Sequence, residues 1–288
     1  MSLSVPLVLA ILFAALLHAS WNALIKSGPN KSLDTALIHS LGVVFAIPAV
    51  LWFGLPAAAA WPYILASSAI HVAYYVALAG AYRHGDLGLT YPIMRGSAPL
   101  LVAVVGTTVV GDHLSPQAWI GVVLLSIGVL TVGLARVNHS DKSGNRRKAL
   151  GFALANACII ASYTVVDGMG VRAAGDPFAY AAAIFLLDGL PYMALVMWCL
   201  GPARGDAVRY MLGRVKLAIG GTAASLGSYG IALWAMAHAP VALVAALRET
   251  SVIFAALIGT LLLGERFGWT RAAGTGLVVA GVMTLRFG

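Results

Sequence analysis

Ten predominantly apolar runs divide this sequence, near residues 5–25, 35–54, 63–82, 89–110, 117–135, 149–170, 178–199, 215–236, 241–263 and 270–286. Each is close to the roughly 20 residues that an α-helix needs to cross the hydrocarbon core of a bilayer. Short turn-forming segments separate them, such as Gly28-Pro29-Asn30, Gly85-Asp86, Ser115-Pro116, Gly175-Asp176-Pro177, Gly201-Pro202 and Ala239-Pro240. Lipid offers the backbone no hydrogen bonds, so a spanning segment must satisfy its own N–H and C=O groups. The polar–apolar alternation of a barrel strand is absent, which leaves helices. The chain is 60% hydrophobic and 10% charged, against about 25% charged in a soluble domain. These features predict an all-α integral membrane protein with ten transmembrane helices. Ser2 to Leu17 lacks a basic leading segment and a cleavage site, and reads as part of the first span rather than a signal peptide.

The runs repeat. Arg95 is followed sixteen residues later by Gly111-Asp112, and Arg248 sixteen residues later by Gly264-Glu265. Gly121 and Gly128 fall in register with Gly274 and Gly281, and Ala19-Ser20-Trp21 through Asp34 is echoed by Ala161-Ser162-Tyr163 through Asp176. The expected organisation is therefore one five-helix unit at 1–135, a basic linker at 136–148 and a second five-helix unit at 149–288. Five is odd, so the second unit enters the membrane opposite to the first. The expected architecture is two inverted five-helix repeats around a central cavity, a design of secondary transporters.

The net charge of +8 sits mostly in short connections. It reads as a topology signal toward anionic lipid, not as a nucleic-acid surface. Most Lys and Arg fall after odd-numbered spans, which places those connections in the cytoplasm and both termini outside. Cys158 and Cys199 lie in apolar segments and form neither a disulfide framework nor a metal site; they read as buried packing. No nucleotide-binding loop is present, and no cofactor or metal is expected.

Ala98-Pro99-Leu100-Leu101 through Gly111-Asp112-His113-Leu114, and Ser251-Val252-Ile253-Phe254 through Gly264-Glu265-Arg266-Phe267, each precede a Gly-rich last helix. In this layout the whole chain resembles the ten-helix members of the drug/metabolite transporter superfamily with two EamA-type domains. The first copy departs from the pattern, with Asp112 in place of Glu. The resemblance implies export of amino acids, drugs or other metabolites, or exchange of phosphorylated sugars. Within it, the expectation is an exporter of amino acids, aromatic or broad in range, in a bacterial inner membrane, working as a monomer.

Polar side chains inside spans are costly, about 2.5–3.5 kcal/mol for a charge at a helix centre, and need a reason. His71, Tyr74, Tyr75 and Tyr82 share roughly one face of the third span. The eighth span offers Ser225, Ser228 and Tyr229, the first His18, Trp21 and Asn22, and the sixth Asn156 and Tyr163, then Asp167. These faces are expected to enclose a site for a small amphipathic solute, with rings for packing and hydrogen-bonding groups for orientation. The competing reading is tyrosines at the membrane interface and polar groups holding helices together.

Arg95 and Arg248 lie about two turns into their spans, and inversion sends them to opposite sides of the midplane, as gates or as snorkelling side chains. Glu249 points about 100° round the helix from Arg248, toward another partner. Asp188 is mid-span, a proton site or a structural hydrogen-bond acceptor. Asp112 and Glu265 are expected to cap their own short hairpins.

The leading function is secondary transport by alternating access. An organophosphate or phosphonate carrier using the arginines is one alternative. A multidrug carrier is another, weakened because the first span has no glutamate. An intramembrane enzyme lacks a His-Glu-x-x-His motif, and neither Ser97 with His71 nor Asp167 with Asp188 has a supporting motif.

Overall fold

The computed structural model describes residues 3–84, 87–134, 146–263 and 268–287. Twelve helices follow one another among them: α1 (Val5–Ser27), α2 (Lys31–Phe53), α3 (Trp61–His84), α4 (Leu87–Val105), α5 (Pro116–Leu134), α6 (Arg146–Ala173), α7 (Pro177–Leu200), α8 (Arg204–Leu212), α9 (Val215–His238), α10 (Val241–Arg248), α11 (Ser251–Leu263) and α12 (Trp269–Phe287). Most of the linker expected at 136–148, the Gly85-Asp86 turn and Gly264-Glu265 lie outside the described residues.

The protein is an all-α membrane protein. Seven stretches among the described residues are long and apolar enough to cross a bilayer. The long helices α9 and α12 are not among them because they carry more polar groups, including Thr222, Ser225, Ser228 and Tyr229 on α9. Burial is inverted relative to a water-soluble protein. Leu51, Trp52, Leu261 and Trp269 are exposed, whereas Asp34, His71, Asn156, Asp167 and Glu249 are buried. A bilayer would cover the first set, and the second set avoids it. Cys158 and Cys199 belong to the outer surface, exposed and unpaired, rather than to buried packing.

Three local features depart from ten plain spans. α4 widens into a π-helical turn at Gly106–Val110 before Gly111 (φ 78°). There the hydroxyls of Thr107 and Thr108 donate back to the carbonyls of Ala103, Val104 and Val105, competition that loosens a helix. The ninth span is broken at Glu249-Thr250. Glu249 N–H donates to Ala246 O and Thr250 N–H to Leu247 O, tight i to i−3 bonds, and the Thr250 hydroxyl donates to the same Leu247 carbonyl. Finally, α8 is a short helix where a plain loop is expected from the sequence.

Helix pairing is α5 with α12, α3 with α6, α2 with α7, α1 with α9, α4 with α6, and α1 with α10 and α11. Bilayer helices gain little from burying apolar surface against one another, so small residues that let backbones close are favoured at contacts. The α5–α12 seam follows this rule. A Cβ on Gly121 would lie 3.1 Å from the carbonyl oxygen of Gly281, and one on Gly128 2.8 Å from that of Gly274. Partner numbers fall as residue numbers rise, so α5 and α12 run antiparallel. α2 and α7 do likewise, with Gly189 against the His39 backbone and Phe53 stacked on Phe178 at 5.3 Å.

Gly128→Ala is expected to force this seam apart, at about 1–3 kcal/mol of overpacking. The melting temperature in detergent should fall. Gly276→Ala on α12 has no atom within 4 Å of its Cβ and should not lower it. Equal behaviour of the two variants would refute the seam as a close-packed contact.

Candidate functional site

The site is built where α3, α6, α7, α9 and α10 converge. The His71 Nδ1 lies 2.9 Å from the Ser67 carbonyl one turn back. A carbonyl only accepts, so Nδ1 carries a proton and the ring is held against its own helix. The His71 ring stacks on Tyr163 with centroids 4.3 Å apart, and its edge meets Tyr229 at 6.4 Å. Tyr74 adds an edge contact to Tyr163 at 6.1 Å. Nδ1 of His71 is 3.9 Å from the Asp188 carboxylate.

Tyr163 and Asp167 are four residues apart on α6 and so share a face. The Tyr229 hydroxyl donates to one oxygen of Asp167, and the Tyr180 hydroxyl to the other at 2.9 Å. Asp167 is fully buried, so these two donors compensate its lost water.

The two arginine side chains, expected on opposite sides of the midplane, reach one place. Both line one small cavity together with Tyr163, Thr164 and Glu249. Arg95 Nε lies 3.0 Å from Glu249 Oε2, with both side chains largely buried, close in distance but poorly angled for a hydrogen bond. The Arg248 guanidinium sits 5.2 Å above the Tyr229 ring. Each partner of the Arg95–Glu249 pair is about 12 Å along its helix from an opposite end. Two long side chains close the remaining gap in a core of about 30 Å. Glu249 also stands at the break between α10 and α11, so it faces Arg95 while its neighbour Arg248 faces Tyr229.

A second small cavity is lined by His39, Phe185, Asp188, Gly189, Thr222 and Ser225, among others. Each cavity offers about 10 Å³ to the centre of a water-sized sphere, room for about one water. The expected single central cavity is thus closed into two. Rings stand between them. Tyr163 borders the first cavity and Asp188 the second, and His71 touches both residues. Phe185 borders the second and meets the edge of Tyr229, which carries Arg248, at 6.1 Å.

The candidate residues therefore divide. His71, Tyr74, Tyr163, Ser225, Tyr229, Asp188, Arg95, Arg248 and Glu249 lie at this wall or its cavities. His18 meets the edge of Trp21, and Trp21 that of His39, so the first span reaches the site through His39. The Asn22 amide donates to the His18 carbonyl in its own helix. The Asn156 amide reaches the sulfur of Met94 at 2.8 Å, a contact between α6 and α4. Ser228 is buried on α9 and its hydroxyl has no hydrogen-bond partner among the described residues. The side chains of Tyr75 and Tyr82 lie outside the described residues. His39, Phe185 and Tyr180 are absent from the sequence-based set; a lone histidine inside an apolar run was the available signal for His39.

Two ionic clasps stand toward the two faces. At one, Asp34 is 2% exposed and accepts from Arg214 Nε at 2.6 Å and from the Tyr210 hydroxyl at 3.1 Å. A Cβ on Gly28 would fall on the Asp34 carboxylate, so the turn there requires glycine. At the other, Asp112 does not cap its own hairpin. It accepts from Val241 N–H at 2.8 Å, capping α10, and pairs with Arg172 at 3.2 Å. Arg172 in turn donates to the carbonyls of Met236 and Ala239 at the end of α9. Each clasp joins the first half of the chain to the second.

A helical membrane protein that turns its charges and rings toward a closed interior site, with an ionic clasp at each face, belongs to the class of multi-pass solute transporters. Residues 147–287 match the EamA-like transporter family. Over 73 residues the chain is 33% identical to the spermidine export protein MdtI of Salmonella arizonae, covering 25% of this chain and 67% of that one. One solved crystal structure superposes with a TM-score of 0.73 at 18% identity, over 96% of this chain and 94% of its own, and so shares the fold. The chain belongs to the drug/metabolite transporter superfamily.

Proposed function

We propose that this protein exports small amphipathic solutes, amino acids foremost, across a bacterial inner membrane by alternating access, as a single chain. The two halves, 1–135 and 149–288, act as inverted repeats of five spans each. The helix pairing supports this. Exchanging the halves turns α3–α6 into α9–α1, and α4–α6 into the packing of α10 and α11 on α1, while α5–α12 and α2–α7 map onto themselves. The antiparallel course of α5 and α12, counterparts by sequence, agrees with inversion.

The observation that carries the reading is the wall of rings between an arginine-lined cavity and an aspartate-lined one. Parting the rings would join the two into one site with cations at one end, a carboxylate at the other and aromatic walls between. That arrangement suits a zwitterion with an apolar body. A second reading takes support from Asp188, a carboxylate placed to receive an ammonium, and from the spermidine named for the MdtI relative. In that reading the solute is a polyamine.

Counterflow in proteoliposomes with amino acids, spermidine and phosphate esters tests both. Saturable exchange of aromatic amino acids is expected, falling more than tenfold in Tyr163→Ala. Exchange of spermidine alone would favour the second reading. Unaltered amino-acid exchange in Tyr163→Ala would remove the ring wall from the mechanism.

A further inference from the structure

We propose that Arg248 is the solute's carboxylate-binding group, and that Glu249 occupies Arg95 as an internal anion beside it. The inference rests on the transport reading above. The cavity they share holds two guanidinium groups and one carboxylate, an excess of one positive charge. Arg95 is ion-paired with Glu249 at 3.0 Å. Arg248 has no carboxylate within ion-pair distance among the described residues, and its charge rests on the face of Tyr229. A charge within the membrane is ordinarily paired, so an arginine that lines a cavity with no carboxylate at ion-pair distance marks a ligand site.

The neighbouring acids are already engaged. Asp167 is held by the hydroxyls of Tyr229 and Tyr180, and Asp188 lies across the wall near His71. One carboxylate entering the cavity brings its net charge to zero. A phosphate monoester carries about −1.5 to −2 near neutrality and would leave the cavity negative. The chemistry therefore favours a monocarboxylate. An apolar ring on that solute would lie against Tyr163 and Tyr229, and an amine would point through the wall toward Asp188.

The helix break makes Arg95 an adjustable partner. Glu249 lies between two short helices rather than inside one, and its contact with Arg95 is poorly angled. Neutralising Glu249 would raise the net positive charge that an incoming anion meets in this cavity.

The test is calorimetric binding to the full-length protein in nanodiscs, with phenylalanine, 3-phenylpropionate, phenethylamine and phenyl phosphate as probes. Phenylalanine and phenylpropionate should bind, and more tightly than phenyl phosphate. Arg248→Gln should weaken both carboxylates at least tenfold and change phenethylamine less than twofold. Arg248→Lys should restore part of the loss. Glu249→Gln should tighten phenylpropionate at least threefold; if Arg248→Gln does not fold, this arm decides.

The proposal is overturned if the wild type binds neither carboxylate, if phenyl phosphate binds more tightly than both, if Arg248→Gln weakens amine and carboxylates equally, or if Glu249→Gln leaves phenylpropionate unchanged. Counterflow of the same probes separates the two levels. Amino-acid exchange with no Arg248 dependence removes the carboxylate subsite and leaves transport standing. Arg248-dependent binding without exchange of any probe removes the transport reading and leaves the subsite.

Discussion

Arg214→Ala opens the face of the protein that bears the α1–α2 turn. The expected readout is a rise of at least tenfold in the rate at which a water-soluble maleimide labels Thr222→Cys, on a background with Cys158 and Cys199 replaced by serine. Thr222 lines the aspartate-bearing cavity and lies two turns into α9 from that face. The physical basis is Asp34, which is buried and whose strongest partner is the Arg214 Nε at 2.6 Å. Removing one partner of a buried ion pair costs about 3–5 kcal/mol, because the other charge stays desolvated. Arg214 is partly exposed, so the lower end applies. The cost falls only on the conformation in which the clasp is closed, because an opened face returns Asp34 to water. At 1.4 kcal/mol per factor of ten, about 3 kcal/mol shifts the population roughly a hundredfold. An unchanged labelling rate would mean that the clasp does not gate this face.

Asp112→Ala should act with the opposite sign. Its carboxylate caps the first turn of α10 at Val241 and pairs with Arg172. Loss of an N-cap is worth about 1 kcal/mol, and the charge-assisted bond to Arg172 adds about as much again after allowance for its exposure. Labelling of Ala245→Cys, which lines the arginine cavity on α10, should rise about tenfold or more, and labelling of Thr222→Cys should fall. The double variant Arg214→Ala with Asp112→Ala should lie between the singles for both probes. Changes of the same sign in both single variants would show general loosening rather than two opposed gates.

The helices were legible because bilayer thickness acts on the sequence directly: a run of about twenty apolar residues is its own signal. The break at Glu249-Thr250 was not legible, because it has neither proline nor glycine and depends on a threonine hydroxyl turned back on Leu247. α8 was hidden for the opposite reason, being nine residues of polar composition between apolar runs. Within the site, His71, Tyr163 and Tyr229 were visible as polar faces on α3, α6 and α9. Their assembly into a partition was not visible, since it depends on the approach of α7, where glycine at 189 lets the backbone of α2 come close to Asp188. The meeting of the two arginines at one cavity was not legible, because helix depth alone ignores side-chain reach. The Asp34–Arg214 clasp joins positions 180 residues apart, and nothing local announces it.

The glycine seam has a consequence for how the two faces came to differ. If a single five-helix ancestor once associated with its own copy along this line, every substitution struck both faces at once, and any lock on one was duplicated on the other. Fusion into one chain would lift that constraint while leaving the seam matched, Gly121 to Gly281 and Gly128 to Gly274. Asp34 is then free to hold Arg214, while Asp176, its counterpart by sequence, merely caps α7. Under the proposed alternating access, two locks of unequal strength would give an otherwise reversible machine a preferred resting side.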